Sequence, residues 1–254
     1  MSATAHTPAA TGAAPDPMRR TARIAGVLYL ITFVSIPTLV LYNPVRDAGF
    51  VLGAGSDTGV LWGALTEVVV ALAGIGTAVV LFPVAKRQSE TAALGFVTAR
   101  VLEGGLIIVG VVNLLSLVSL RRDVAGSADA DPASLVTAGH TLVASYDWAF
   151  LLSQSLLPVV NALCLGYVMY RSGLVPRILP IMGFVGAPLL LLSDIAIFFG
   201  AYDRMAPVAA LAALPIAAWE FSLGVYLTVK GFKPSPLTAP AVPSTEREAE
   251  LSPA

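Results

Sequence analysis

Six ionisable side chains stand inside long apolar runs of this chain: Glu67, Arg100, Glu103, Asp147, Asp194 and Glu220. Each costs roughly 2.5–3.5 kcal/mol at the centre of a membrane helix, so each must face protein or water. Five acids confront one base. Arginine pairs with carboxylates in bidentate geometry, so Arg100 can neutralise Glu103 at i+3, Glu220 at matching depth, or both. The acids left over must be hydrated, be protonated or hold a cation. One chemistry open to such a set is the handling of a proton, a small cation or a small solute. The other is mechanical, with charged and amide groups fastening helices and taking no part in turnover.

Helical spacing gives each of these groups a face. Gly63, Glu67, Val70, Gly74 and Thr77 share a stripe of mainly small residues, and Phe96, Arg100, Glu103, Ile107 and Gly110 share another. Asp147, Leu151, Gln154, Pro158 and Asn161 align three polar groups with a kinking proline. Gly183, Gly186, Leu190 and Asp194 line up further along, as do Ala213, Ala217, Glu220 and Gly224. At about 1.5 Å per residue, Asp147 and Asp194 fall about 5 Å below one membrane boundary and Glu67 about 10 Å below it. Glu103 then lies near the midplane, with Arg100 and Glu220 at about 20 Å. The candidate network is therefore Glu67, Arg100, Glu103, Asp147, Gln154, Asn161, Asp194 and Glu220, expected to wall an outward-facing acidic cavity.

Catalytic constellations are missing. His6 and His140 are the only histidines and neither falls in an apolar run, so no histidine metal site is expected within the membrane. Nucleophile elbow, Walker loop, dinucleotide fingerprint and HExxH motif are all absent. Cys164 has no histidine partner in its segment and reads as a core residue. No cofactor is expected; paired carboxylates can do acid–base work, but nothing suggests the cleft that chemistry needs, so an enzyme is the less expected reading.

These side chains must be positioned by membrane helices. The chain has 254 residues, 56% apolar and 12% charged, with a mean hydropathy of +0.81. Soluble domains carry about 25% charge. A net charge of −1 excludes a basic nucleic-acid binder, and a single cysteine excludes an internal disulfide framework. A crossing helix needs roughly 20 apolar residues. Six stretches qualify, at about 22–42, 60–84, 92–120, 145–170, 178–200 and 207–230. The expected fold class is all-α: one bundle of six transmembrane helices over 19–233. Residues 1–18 and 234–254, rich in Ala, Pro and Thr, read as disordered tails. Arg19 and Arg20 read as a positive anchor in preference to a twin-arginine signal.

Orientation follows from the bases. Arg19, Arg20, Arg23, Lys86, Arg87, Arg171, Arg177, Lys230, Lys233 and Arg247 flank one side, against Arg46, Arg121, Arg122 and Arg204 on the other. Both termini are accordingly expected in the cytoplasm. Tyr42, Trp62, Tyr146, Trp148 and Tyr202 would then form an outer aromatic belt. In the longest outer loop, Asp131 before Pro132 predicts a helix start, and a short helix lying on the membrane surface is expected there.

Several landmarks occur together in a recognisable order. Ala22 to Leu30 (ARIAGVLYL), Glu67, Leu81-Phe82-Pro83-Val84, Leu94 to Val97 with Arg100 and Glu103, Asp147-Trp148-Ala149-Phe150, Leu174 to Arg177, and Leu214-Pro215-Ile216 before Glu220 are its members. The set resembles a bacterial family, the domain of unknown function numbered 4386, over about residues 19–233. What the resemblance implies is an integral membrane protein of no established activity, with no catalytic residues to carry over. Twelve arginines against three lysines fit a GC-rich bacterial genome, and the expected location is the bacterial cytoplasmic membrane. Two functions stay open: a small transporter or permease-like protein, or a non-catalytic membrane subunit or sensor whose buried charges are structural. The expected partners are the lipid bilayer and a small cation, proton or small solute.

Overall fold

Apolar runs in hydrocarbon must satisfy their own backbone groups, and a helix does so within one segment. The computed structural model describes residues 17–124, 131–235 and 237, and among them all regular structure is helical. Helix α1 (Pro17–Ile31) gives way to a 3-10 turn (Thr32–Ser35), a single-turn helix α2 (Thr38–Leu41) and a second 3-10 turn (Asn43–Arg46). Helices α3 (Thr58–Ala85) and α4 (Glu90–Asp123) follow. Next comes one rod made of α5 (Pro132–Phe150), a π-helical stretch (Leu151–Leu156) and α6 (Leu157–Ser172). Helices α7 (Ile178–Phe198) and α8 (Pro207–Val229) complete the bundle. Residues 1–16 and 238–254, most of the two expected tails, lie outside the described residues, as do 125–130 and 236.

Among the described residues five helical stretches are long and apolar enough to cross a membrane: α3, α4, the α5–α6 rod, α7 and α8. The protein is a multi-pass membrane protein. The expected first span, 22–42, differs, because it is not one helix. Helix α1 has 15 residues, short of the roughly 20 a crossing needs. Three hydroxyls explain the break. Thr32 donates to the carbonyl of Tyr29 at 2.6 Å, Ser35 to that of Thr32 at 3.1 Å, and Thr38 to that of Ser35 at 2.6 Å. Each competes for a carbonyl the helix needs, and Pro37 has no N–H to continue the ladder.

Successive helices run antiparallel, so the bundle has two distinct ends. The terminal end gathers Pro17 with residues 86–89, 172–177 and 230–235; the connector end gathers 43–57, 124, 131 and 199–206. Lys233 N–H donates to the carbonyl of Leu174 at 2.8 Å and closes the terminal end. At the connector end Arg121 donates to the carbonyls of Phe50, Gly53, Ala54 and Gly55, and Arg122 pairs with Asp57 at 2.8 Å. With 34 and 41 residues, α4 and the α5–α6 rod outrun the roughly 30 Å hydrocarbon core. Their projecting ends bury Leu114, Leu117 and Tyr146 against Tyr42, Val45, Phe50 and Val51 of the connector. Asp131 caps α5 as expected, accepting from Ser134 N–H at 3.0 Å. The helix it starts does not lie flat on the membrane. Nothing before Leu151 interrupts α5, so it runs straight into the rod.

Glycines set the tightest crossings. A Cβ on Gly26 of α1 would meet the carbonyl of Gly224 on α8 at 2.6 Å, and one on Gly186 of α7 would meet the backbone N of Ile216 at 2.8 Å. Small residues let these backbones touch.

Candidate functional site

Helix α4 places Arg100 and Glu103 one turn apart, and α8 brings Glu220 to the same guanidinium. Arg100 Nη1 donates to both oxygens of Glu103 at 3.1 Å, and Nη2 to Glu220 Oε1 at 2.5 Å. Asn161 of α6 donates to Glu103 Oε2 at 2.6 Å. The guanidinium also lies 5.1 Å from the Tyr29 ring centroid and 5.8 Å from that of Phe96, within cation–π range. Arg100 is 1% exposed, and its Nε has no hydrogen-bond partner among the described residues. Two carboxylates share one cation here.

This cluster forms one wall of a cavity of about 290 Å³. Arg100, Glu103, Glu220 and Gln154 bring charge and amide to it; Thr32, Ser35 and Thr38 bring hydroxyls. Phe33, Phe150, Leu190 and Ile216 make the rest largely apolar. The break in the first segment is what creates the space, because the 3-10 turn at Thr32–Ser35 stands where a continuous helix would have packed. Exposed Ile36 stands at the rim.

Glu67 lies nearer the connector end, fully buried. Tyr42 donates to its Oε2 at 3.2 Å; Tyr146 and Gln154 donate to its Oε1 at 3.0 and 3.1 Å. The two tyrosine rings meet edge to face at 5.3 Å. Tyr42 seats against Gly63, one turn before Glu67, where a Cβ would strike its ring. Glu67 has neutral donors and, among the described residues, no ion pair.

Asp147 sits at the surface of the connector end and is doubly paired. Arg46 grips both its oxygens at 2.8 and 3.0 Å, and Arg204 reaches Oδ1 from Nη2 at 2.7 Å and Nε at 2.8 Å. The hydrogen bonds to Asp147 hold the Arg46 guanidinium above its already high ordinary range. Arg204 also covers the Phe150 ring at 4.4 Å and the Tyr146 ring at 5.6 Å. Asp194, on α7, accepts from Ser155 at 2.5 Å, and its Oδ2 has no partner among the described residues.

The π-helical stretch distributes these partners. Pro158 cannot donate to the carbonyl of Gln154 and its ring crowds that position, so the preceding turn widens. Adjacent residues Gln154 and Ser155 then serve different helices, Glu67 on α3 and Asp194 on α7.

Residues 24–231 match a family described as a domain of unknown function (DUF4386). The chain belongs to that family. No curated protein and no solved structure matches the chain.

The network expected within this family member thus resolves into parts. Arg100, Glu103, Glu220 and Asn161 come together, and Gln154 joins them on the cavity wall. Glu67 touches that wall only through Gln154; Asp147 and Asp194 stand apart from it. The polar stripe of the rod serves three different carboxylates, with Gln154 on Glu67, Ser155 on Asp194 and Asn161 on Glu103. Sequence reasoning missed Tyr42, Tyr146, Arg46, Arg204 and Ser155 as partners. The tyrosines read as belt residues and the arginines as loop charges, because contacts across 79 and 101 residues leave no trace in helical periodicity. Cys164 packs against Gly95.

Proposed function

We propose that the protein is a transporter of the bacterial cytoplasmic membrane that takes a small organic cation into its central cavity. One observation carries the reading: two carboxylates, Glu103 buried and Glu220 partly so, share a single guanidinium on the cavity wall, leaving an excess negative charge when all three are ionised. A cation arriving there offsets a charge that hydrocarbon surroundings penalise. The apolar lining and the volume of about 290 Å³ favour a small solute with an amine at one end over a bare ion.

In this reading the first segment supplies a sixth crossing, α1 joined to α2 through the 3-10 turn, and the terminal end faces the cytoplasm. Among the described residues that end carries Arg19, Arg20, Arg23, Lys86, Arg87, Arg171, Arg177, Lys230 and Lys233, against Arg46, Arg121, Arg122 and Arg204 at the connector end. The connector end then faces outward.

A second reading has its own support. Most of the buried charges are partnered within the chain, as they would be in a membrane subunit whose charges only fasten helices. Thermal unfolding of detergent-purified protein separates the two. Small primary and quaternary amines should raise the melting temperature by several degrees, since a ligand at a hundredfold its Kd stabilises by about 2.7 kcal/mol. Matching carboxylates should not, and Glu220→Gln should abolish the amine effect. Equal indifference to amines and acids would leave the fastening role.

A further inference from the structure

We propose that Asp147, clamped by Arg46 and Arg204, is the gate between the connector side and the central cavity. The transporter reading above supplies the cargo and the outward-facing connector end; the gate itself stands on geometry of its own.

Three hollows lie in series. A surface hollow of about 870 Å³ at the connector end shares Arg46, Arg204 and Met205 with a void of about 10 Å³ beneath it. That void shares Thr38 with the central cavity of about 290 Å³. At the lower size limit for a single water, the void closes the route to any larger solute.

What closes it is a double layer. Above, Asp147 of α5 receives Arg46 from the 3-10 turn at 2.8 Å and Arg204 from the turn before α8 at 2.7 Å, so one carboxylate holds three separate elements. Below, Tyr42 and Tyr146 meet edge to face with both hydroxyls on Glu67. The layers move together, because Tyr146 precedes Asp147 on the same helix and Arg204 lies over the Tyr146 and Phe150 rings. Gln154, also on Glu67, carries the connection onward to the cavity wall.

Burial decides which charge cluster can open. The Arg100 side chain is 1% exposed, and no water stands ready to replace its carboxylates. Those of Arg46 and Asp147 are 36% and 29% exposed, so water and ions compete for them and that pair breaks at small cost; Arg204, at 13%, is the firmer half of the clamp. Both arginines sit on connecting turns, one bounded by Gly200 at φ +75°, so they can swing away without displacing a spanning helix. Two arginines on one carboxylate leave the closed gate positive. A cation passes by taking the place of an arginine on Asp147, and an anion by taking the place of Asp147 on an arginine.

The test places a thiol in the cavity, Ser35→Cys in a Cys164→Ala background, and follows its labelling from outside intact cells by an impermeant thiol reagent. Labelling should be slow with the gate intact. Arg204→Gln, which frees one pair, should speed it roughly fivefold, and Asp147→Asn, which frees both, more. Raising ionic strength should speed labelling without any gate substitution, which keeps the test decisive if a variant fails to fold. Asp57→Asn, which releases Arg122 at the same end but off the route, should change nothing. Unchanged rates in both gate variants and in high salt would overturn the gate, and so would equal acceleration by Asp57→Asn. No cargo is needed, so a gate that opens while amines fail to bind would refute the transporter reading alone.

Discussion

Among the described residues Arg100 is the only cation paired with Glu103 and Glu220, and replacing it with Met removes that cation. Methionine keeps an apolar stem in place of the arginine's but lacks the guanidinium head, so the change acts mainly through charge and hydrogen bonding, with a void left where the head stood. Three N–H···O contacts disappear, two at 3.1 Å to Glu103 and one at 2.5 Å to Glu220. Bonds to charged groups contribute about 1.5–3 kcal/mol each when taken alone. They share one guanidinium, so they do not add, and loss of one member of a buried ion pair costs about 3–5 kcal/mol. We expect a loss in that range. Unfolding by dodecyl sulfate in bicelles measures it.

A double-mutant cycle then divides the loss between partners. Glu103 keeps Asn161 at 2.6 Å after Arg100 is gone, whereas Arg100 is the only hydrogen-bond partner of Glu220 among the described residues. Coupling between Arg100→Met and Glu220→Gln should therefore reach about 1.5–3 kcal/mol and exceed the coupling with Glu103→Gln. If neither acid couples to Arg100 by more than about 0.5 kcal/mol, the cluster is not held by charge and the reasoning fails. If Glu103 couples more strongly than Glu220, the supporting role given to Asn161 is wrong.

Further expectations address other parts of the molecule. Glu67→Leu should destabilise more than Glu67→Gln in the same assay, since leucine strands the Tyr42, Tyr146 and Gln154 donors at about 1–3 kcal/mol each; equal losses would mean those bonds are immaterial. Gly186→Val should push α7 off α8 at a cost of about 1–3 kcal/mol or more, while Gly105→Ala, with nothing within 4 Å of the new methyl, should stabilise by about 0.5–1 kcal/mol; the reverse order would contradict the close backbone approach. The Arg122 guanidinium beside Asp57 holds that carboxyl below its ordinary range, so the clasp is complete above the ordinary value and weakens as pH falls through the lower folded one. Hydrogen-exchange protection over 50–57, taken relative to the intrinsic rate at each pH, should then fall on acidification, and Arg122→Ala should lower it already at neutral pH; identical profiles would remove the clasp. Alkaline phosphatase fused after residue 234 should be inactive and a fluorescent protein there bright, and active phosphatase would invert the proposed topology.

Length and hydropathy made α3, α4, α7 and α8 legible, because these runs are long and uninterrupted. The same count took 22–42 for one continuous helix, which it is not. It weighed apolar residues and gave no weight to Thr32, Ser35 and Thr38, whose hydroxyls capture carbonyls one turn back. The Arg100–Glu103 pair was legible from i,i+3 spacing, and Glu220 from depth. Gln154 and Asn161 were legible as one face, though the π-helical stretch sends them to different carboxylates. Asp147 read as an unpaired acid because its arginines come from turns, whose path in space no periodicity predicts.

The break that hydropathy overlooked is also what makes the cavity. Had 22–42 formed one straight helix, its side chains would have filled the space beside Arg100, and the two carboxylates would be sealed in a dry contact. Sealed, an excess negative charge would be a liability with no compensation. Opened by a turn of hydroxyl-bearing residues, the same charge faces a volume that a small cation can enter. The molecule thus combines a rigid, deeply buried charge cluster with a partly exposed one built on turns. The rigid cluster keeps its geometry because breaking it is expensive. The exposed cluster exchanges partners readily because water shares the work. A carrier for cations needs a site of the first kind behind a barrier of the second, and Glu67, bonded to Tyr42 and Tyr146 on one side and Gln154 on the other, is the group that ties them together.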